Sequence, residues 1–188
     1  MSQLKNTKDV CYWKPIQTGI EEDNDTETVR TLARLSKREI FDRGFRLEKP
    51  LSPHLSAKLA NVEITVDKIL SFFERADKKR FFIVEGAGGI LVPLNESQLM
   101  IDLIKALKLP VIIVARSGLG TINHTCLTIE TLRNRSLEIF GVIMNGMPNA
   151  ENKAAIEHYG KVKVLAEIPK IEDISSNFTK SLDVDLLK

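Results

Sequence analysis

The sequence of 188 residues has two cysteines, three histidines, no long run of one charge and no long hydrophobic run. Both cysteines stand inside apolar stretches, where buried reduced thiols are expected rather than a disulfide. His54, His124 and His158 are too far apart for metal-ligand spacing. No apolar segment reaches membrane-spanning length, and the polar start lacks a signal region. We therefore expect a soluble, cytoplasmic protein without a membrane partner.

Charge is nearly balanced in this chain. Lysine and arginine number 27 and aspartate and glutamate 25, which leaves a net charge of +2. This balance gives no support to nucleic acid as a partner, because no part of the sequence is strongly basic. The length suits one domain with a sizeable core, and we expect residues 1–188 to form a single domain.

Short apolar runs alternate with longer segments of helical pattern, which is typical of an α/β domain. Runs that are apolar on both faces indicate a mostly parallel sheet flanked by helices. We predict strands at residues 10–13, 81–84, 111–115, 139–144 and 162–166. We predict helices at about residues 25–35, 53–60, 66–75, 99–107, 122–133 and 150–159, with a further terminal helix from about residue 173.

Two of the predicted helices begin with cap signals. Ser52 precedes Pro53, as in an N-cap followed by proline at the first helical position. Thr65 precedes another helix, and Asp67 lies in its first turn, where a negative charge is favourable.

Polar and glycine-rich segments follow each predicted strand. In parallel α/β sheets, ligands bind at the carboxyl ends of the strands. The segments are residues 14–19, 85–89, 117–123 and 145–148, and Pro169. Their shared position predicts one composite site along one edge of the sheet.

The segment Glu85-Gly-Ala-Gly-Gly follows the second predicted strand. A carboxylate there is well placed to hold Mg²⁺, and the glycines allow a phosphate to approach the backbone. The alternative is a tight turn in which Glu85 caps or pairs at the surface.

The segment YWKPIQTG follows the first predicted strand. Pro15 favours extended geometry at Lys14, so the ammonium group projects from the strand end and can neutralise an anion. Thr18 is a candidate hydrogen-bond donor to a substrate. The alternative for Lys14 is an ordinary solvated lysine.

Two other candidates have local alternatives. Asp25 is either a metal ligand or a helix N-cap, and Asn145 either binds a ligand or forms a turn with Gly146.

The segment SGLGTINHTCLTIETL, residues 117–132, is a glycine-containing loop followed by a helix. Backbone amides at the start of that helix would face an anion, such as a carboxylate, with the helix dipole behind them. The alternative is a plain loop in which Thr121 or Asn123 caps the helix.

Together these segments resemble dethiobiotin synthetases, the ATP-dependent ligases of biotin synthesis. The matching stretches are KPIQTG, DNDTETV, LSPHLSA, FFIVEGAGGILVPL, DLIKALKLPVIIVARSGLGTINHTCLT, VIMNGMP and LAEIP. They span nearly the whole chain in the family's order.

The resemblance implies a P-loop-NTPase-like α/β fold, a homodimer, Mg²⁺ as cofactor and ATP as co-substrate. It implies a reaction that joins CO₂ to 7,8-diaminononanoate. One amine takes up CO₂ as a carbamate, the carbamate oxygen attacks the γ-phosphate, and the second amine displaces phosphate to close the ring.

The resemblance also implies roles for particular residues. Lys14 matches the catalytic lysine, and Asp25 and Glu85 match Mg²⁺ ligands. The substrate-binding residues that it implies are Thr18, Leu119, Gly120, Thr121, Ile122 and Asn123, the last five holding the substrate carboxylate across a dimer interface. The nucleotide-binding residues that it implies are Asp25, Glu85, Gly86, Ala87, Gly88, Asn145, Gly146, Pro169, Lys170 and Ile171.

One family element is missing from the sequence. The family's phosphate loop resembles Gly-x-x-x-x-Gly-Lys-[Ser/Thr], whereas the first glycine here is Gly19 and no such motif occurs. We therefore expect a chain that is incomplete at its N-terminus and lacks the family's first strand and phosphate loop.

Two alternative functions stay open. One is a nucleotide-binding or scaffold homologue that dimerises through residues 118–133 without turning over ATP. The other is a related amidoligase of the kind that amidates cobyrinic acid, although those enzymes carry a downstream glutaminase domain that is not found in this sequence.

Overall fold

A computed structural model describes residues 8–170 of the chain. These residues fall into two compact units, residues 8–107 and residues 108–170. All pairs between the named strands are parallel, and helices alternate with the strands, which confirms the α/β class. In the described part of the chain, no helix has the length and apolar character needed to cross a membrane.

The first unit contains four strands and four α-helices. Its strands are β1 (Val10–Trp13), β2 (Ile16–Thr18), β3 (Phe45–Leu47) and β4 (Phe81–Val84). Its helices are α1 (Asp25–Leu32), α2 (Pro53–Leu59), α3 (Val66–Phe73) and α4 (Met100–Leu107), with a 3₁₀ turn at Lys37–Glu39. Strand β1 pairs with β4, and β2 pairs with β3.

The second unit contains three strands and two helices. They are β5 (Val111–Arg116), α5 (Thr121–Asn134), β6 (Ile139–Asn145), α6 (Ala150–Gly160) and β7 (Val164–Ile168). The strands form one sheet in the order β5-β6-β7. Each helix follows a strand and precedes the next one, so the unit is built from successive βαβ crossovers.

Trp13, at the end of β1, lies at the centre of the first unit's core. Its ring is fully buried and stacks on Phe73 with centroids 5.1 Å apart, while Phe41 meets it edge-on at 5.5 Å. Its indole N–H donates to the carbonyl oxygen of Arg43. These contacts fix the strand end from which Lys14 emerges.

Most strand and helix positions agree with the prediction, but α1 ends at Leu32 rather than near residue 35, and strands β2 and β3 were not predicted. Strands β1 and β4 have the predicted bounds, but β7 begins and ends two residues later than predicted. The reason is that α6 continues to Gly160 and Lys161 then adopts a left-handed conformation with φ of 46°, which delays the strand. The helix predicted from residue 173 lies outside the described residues.

The two predicted caps have different outcomes. The Thr65 hydroxyl accepts a hydrogen bond from the backbone N–H of Lys68 at 3.2 Å, as predicted. Ser52 occupies the N-cap position of α2, but its side chain makes no capping bond; its Oγ lies 3.0 Å from Nδ1 of His54 instead. Proline at the first helical position already lacks the N–H group, which lowers the need for a side-chain cap.

Candidate functional site

Lys14 follows β1 directly and is buried, with 6% of its side chain exposed. Its Nζ donates to Glu85 Oε1 at 2.8 Å and to the carbonyl oxygen of Gly86 at 3.4 Å, and it also contacts Asp25 Oδ2. The alternative of a solvated lysine is therefore wrong. A buried ammonium group needs such partners, because an unpaired charge in this position would be strongly destabilising.

Asp25 is the first residue of α1 rather than its cap. The cap is Asn24, whose side-chain oxygen accepts from the backbone N–H of Glu27 at 3.2 Å. The Asp25 carboxylate is therefore free of the capping role that was its alternative, and it contacts the Lys14 ammonium group instead.

Glu85 follows β4, and its backbone N–H donates to the carbonyl oxygen of Trp13 at 2.9 Å. This bond continues the β1–β4 ladder and places the carboxylate beside Lys14. The alternative for Glu85 was capping or pairing at the surface. Glu85 is 43% exposed and does pair with a cation, but that cation is the buried ammonium group of Lys14. Two carboxylates thus converge on one ammonium nitrogen.

Tyr12 is a neighbour of this group that the sequence did not reveal as a site residue. Its hydroxyl donates to Glu85 Oε2 at 2.6 Å, and the residue is 2% exposed. Burial, followed by the hydrogen bond to Glu85, raises the pKa of Tyr12, so the phenol stays protonated as a donor. The sequence contained one signal: Tyr12 is two residues before Lys14, and residues two apart along a strand point to the same face of the sheet. A tyrosine in a buried strand is, however, equally typical of the hydrophobic core.

A cavity of about 310 Å³ opens beside Lys14. It is lined by Lys14, Gln17, Thr18, Asp25, Leu51, Ser52, Pro53, Ala87, Gly88 and Val92. It therefore brings together several predicted residues from the KPIQTG, DNDTETV and EGAGG stretches. Its volume is near the lower end of the roughly 300–1,000 Å³ range of small-molecule sites.

Gln17 and Ser52 line this cavity but were not predicted as site residues. Gln17 is 3% exposed, and its Nε2 donates to the carbonyl oxygens of Thr18 and Asp23 at 3.0 and 3.2 Å. Its Oε1 has no hydrogen-bond partner among residues 8–170. The signal was that both residues lie in stretches that match the family, KPIQTG and LSPHLSA.

Gly88 gives the loop after β4 its shape. Its φ is +76°, and a Cβ atom there would lie 2.9 Å from Cγ2 of Val92. Only glycine fits that conformation without strain. The backbone of the loop therefore bends at the cavity wall without a side chain in the way.

The two carboxylates of this site suit Mg²⁺. Magnesium in nucleotide sites is usually held by one or two carboxylates, with substrate phosphates and water as the remaining ligands. Asp25 and Glu85 both contact Lys14 Nζ, so they are close enough to share one cation. No cluster of three or more His, Cys, Asp or Glu residues that could hold a metal occurs in residues 8–170, so a metal here would take its remaining ligands from water or from phosphate oxygens.

The second unit brings another group of predicted residues together at its strand ends. Arg116, Asn145 and Ile168 are in register across β5, β6 and β7. The backbone N–H of Ser117 donates to the Asn145 carbonyl oxygen at 3.1 Å, and that of Gly146 to the Ile168 carbonyl oxygen at 2.8 Å. Asn145, Gly146, Pro169 and Lys170 thus lie at one edge of this sheet, while Ile171 lies outside the described residues.

Asn145 is the last residue of β6 and is exposed, and the chain bends directly after it at Gly146. Gly146 has a φ of +132°, and a Cβ atom there would lie 2.4 Å from the Ser117 hydroxyl oxygen. A larger residue would clash with the neighbouring loop.

Leu119 lies in the loop between β5 and α5 and is fully exposed. Helix α5 begins at Thr121, and its N-cap is Gly120 with φ of +88° and no side-chain capping bond. The alternative in which Thr121 or Asn123 caps the helix is therefore wrong. Gly120, Thr121, Ile122 and Asn123 follow Leu119 directly at this helix start.

Comparison with known proteins identifies close relatives. A family model described as an AAA domain matches residues 1–177. The ATP-dependent dethiobiotin synthetase BioD of Paramagnetospirillum magneticum is 47% identical over 165 residues, which cover 88% of this chain and 78% of that protein. The enzyme of the same name from Brucella ovis is 40% identical over 180 residues, covering 93% of this chain and 83% of that protein.

A bifunctional relative is longer. The biotin biosynthesis bifunctional protein BioCD of Bordetella avium is 48% identical over 166 residues, or 88% of this chain. The chain spans 35% of the length of that protein.

A solved structure shares the fold. The crystal structure of a ParA family ATPase from Chlorobium tepidum matches with a TM-score of 0.53 at 13% identity, covering 91% of this chain and 75% of that one. At that identity the likeness concerns the fold alone, and it agrees with the P-loop-NTPase-like α/β class. The relatives that are 40–47% identical over most of both chains carry the functional assignment: the chain belongs to the ATP-dependent dethiobiotin synthetases, the ligases of biotin biosynthesis.

Proposed function

We propose that this protein catalyses the ATP- and Mg²⁺-dependent carboxylation and ring closure of 7,8-diaminononanoate with CO₂, which gives dethiobiotin. The observation that carries the proposal is the position of Lys14. Its ammonium group contacts both Asp25 and Glu85 at the wall of a cavity that Thr18 and Gly88 also line.

Lys14 supplies the positive charge that the reaction needs. Negative charge develops on the carbamate and on the transferred phosphoryl group, and a fixed cation stabilises both. Because Lys14 is buried, its charge is less screened by water and acts more strongly across the cavity. Two carboxylate contacts hold the ammonium group in place before substrate arrives, which lowers the cost of ordering it.

Asp25 and Glu85 would hold Mg²⁺. When bound, that ion neutralises phosphate charge and orients the γ-phosphoryl group for in-line attack. The backbone of Gly86, Ala87 and Gly88 would approach the phosphates, and the conformation of Gly88 supports this role because it leaves the loop without an obstructing side chain.

The diamine would lie in the cavity beside Lys14. The Thr18 hydroxyl offers a hydrogen bond to it, and the cavity has apolar lining from Leu51, Pro53 and Val92 for its methylene chain. At the other end, the carboxylate would meet residues 119–123 of a second copy in a homodimer. The full exposure of Leu119 and the uncapped start of α5 support that arrangement.

The nucleotide base would meet the edge of the second unit's sheet. Asn145 offers amide donors and acceptors there, with Gly146, Pro169 and Lys170 beside it; Ile171, which the resemblance also implies, lies outside the described residues. The support is the exposed position of Asn145 at the carboxyl end of β6, where ligands of parallel sheets bind.

The test is dethiobiotin formation from diaminononanoate, bicarbonate and MgATP. The 188 residues contain no Gly-x-x-x-x-Gly-Lys motif, so two proteins are compared: the chain itself and an extended chain that carries a relative's first strand and phosphate loop upstream. We expect the extended chain to form dethiobiotin and the unextended chain to be slower by at least about 10²–10³-fold, the usual cost of one lost preorganised donor. A folded extended chain without product would contradict the proposed reaction, and equal rates would contradict the need for a phosphate loop.

A further inference from the structure

Tyr12 lies in a position from which its hydroxyl can hardly move. Its backbone pairs with Ile83 of β4 on one side and with Ile40 on the other. Its carbonyl oxygen accepts from the backbone N–H of Phe41 at 2.8 Å. Its side chain is buried and packs in a cluster with Ala33 and Leu35. Because the backbone is paired on both sides and the ring is packed, the side chain of Tyr12 is held in one orientation, and so is its hydroxyl.

Glu85 is in the opposite situation. Its side chain is flexible and 43% exposed, so without protein partners the carboxylate would be free to change rotamer. Two side chains hold it, one from β1 and one from the residue directly after β1: Tyr12 donates to Oε2 at 2.6 Å and Lys14 to Oε1 at 2.8 Å. An ionised carboxylate has about four lone-pair sites, so each oxygen keeps capacity for a further partner.

The two holding groups differ in what else they do. The Lys14 ammonium group is shared among Glu85, Asp25 and the Gly86 carbonyl oxygen. Within residues 8–170, Glu85 is the single acceptor of the Tyr12 hydroxyl. The tyrosine can therefore orient the carboxylate continuously, while Lys14 is available to respond to charge in the cavity.

We propose that Tyr12 is a positioning residue, which holds the Glu85 carboxylate in the orientation that binds a divalent cation. The inference rests on the proposed metal role of Glu85. Groups that orient a metal ligand through hydrogen bonds typically change metal affinity by about 10–100-fold when they are removed.

The first test is a titration of Mn²⁺ alone against the 188-residue chain, with unbound Mn²⁺ counted by electron paramagnetic resonance. Tyr12→Phe keeps the ring and removes the hydroxyl, and we expect it to weaken Mn²⁺ binding by about 10-fold or more. Tyr159→Phe is the matched control, because it makes the same change at an exposed tyrosine of the second unit. Thermal unfolding of each variant checks that the fold is kept.

Glu85→Gln, measured in parallel, separates the two proposals. If Glu85→Gln and Tyr12→Phe both weaken Mn²⁺ binding and Tyr159→Phe does not, the positioning role is supported. If only Glu85→Gln weakens it, the positioning role is overturned and the metal role stands. If Glu85→Gln has no effect, the metal role is overturned and the positioning role with it.

A second measurement keeps the test valid if Tyr12→Phe fails to fold. The chain has two tyrosines, so 3-fluorotyrosine in a Tyr159→Phe background gives one fluorine signal, at Tyr12. We expect Mg²⁺ to shift this resonance with the midpoint of metal binding, and Glu85→Gln to abolish the shift. A resonance that stays fixed while metal binds would overturn the positioning role.

Discussion

The two units present their candidate site residues in contrasting ways. In the first unit, charged side chains contact one another: Lys14 is buried between two carboxylates, one of which also accepts a hydrogen bond from a tyrosine hydroxyl. In the second unit, the backbone makes the arrangement, since hydrogen bonds from Ser117 and Gly146 align the strand ends and leave Asn145 exposed. Removing a side chain from the first unit's site should therefore lower turnover. Adding a side chain to the second unit's glycine should instead lower stability and ATP affinity.

The largest expected effect is that of Lys14→Ala in the extended chain. Loss of the cation should lower turnover by about 10²-fold or more, with a much smaller change in ATP binding, because its partners are the carbamate and the transferring phosphoryl group. Steady-state rates and ATP affinity would be measured side by side.

Lys153→Ala is the matched control, since Lys153 also pairs with a carboxylate, that of Glu167 at 3.2 Å, but in the second unit. Equal losses in the two variants would remove the contrast between the units.

A smaller effect is expected for Gly146→Ala. The added Cβ would clash with the Ser117 hydroxyl and would require an alanine at φ of +132°, so unfolding free energy should fall by about 1–3 kcal/mol. ATP affinity should fall with it, and turnover at saturating ATP should change little. Chemical denaturation and ATP titration measure these quantities.

Gly118→Ala serves as the control for that substitution, because nothing lies within 4 Å of a Cβ atom at Gly118. If Gly118→Ala and Gly146→Ala destabilise equally, the close approach of the Ser117 loop is not what requires glycine.

The smallest effect concerns the homodimer, which we expect sedimentation to reveal as twice the chain mass. Leu119→Asn should shift the monomer–dimer equilibrium several-fold toward monomer, because a leucine side chain gains about 1.5–3 kcal/mol on full burial and only part of that is expected here. The KM for diaminononanoate should rise in parallel. Leu59→Asn, at an exposed leucine of α2 outside residues 118–133, is the comparison. A fully active monomer would contradict the dimer.

The sequence predicted the elements of this fold better than the contacts of the site. Strands β1 and β4 were predictable because four consecutive apolar residues suit a buried parallel strand. Strands β2 and β3 were not, since three residues carry too little periodicity.

The site depends on contacts that no local pattern contains. Lys14 and Glu85 are 71 residues apart in sequence, and Tyr12 and Glu85 are 73 apart. From the residues alone, a solvated lysine and an N-capping aspartate were reasonable alternatives. The first is wrong because β1–β4 pairing brings Glu85 to Lys14, and the second because Asn24 occupies the cap position of α1. The resemblance to the family supplied what spacing did not, but it gave no sign of Tyr12.

The chain has one tryptophan, and it is the residue directly before Lys14. Trp13 is fully buried, stacked on Phe73 and hydrogen-bonded through its indole N–H. Its fluorescence is therefore a built-in optical probe of the core that supports the lysine, whereas far-ultraviolet circular dichroism averages over the helices of both units. Emission and dichroism recorded on one sample would separate loss of this core from loss of helix elsewhere, without any added label.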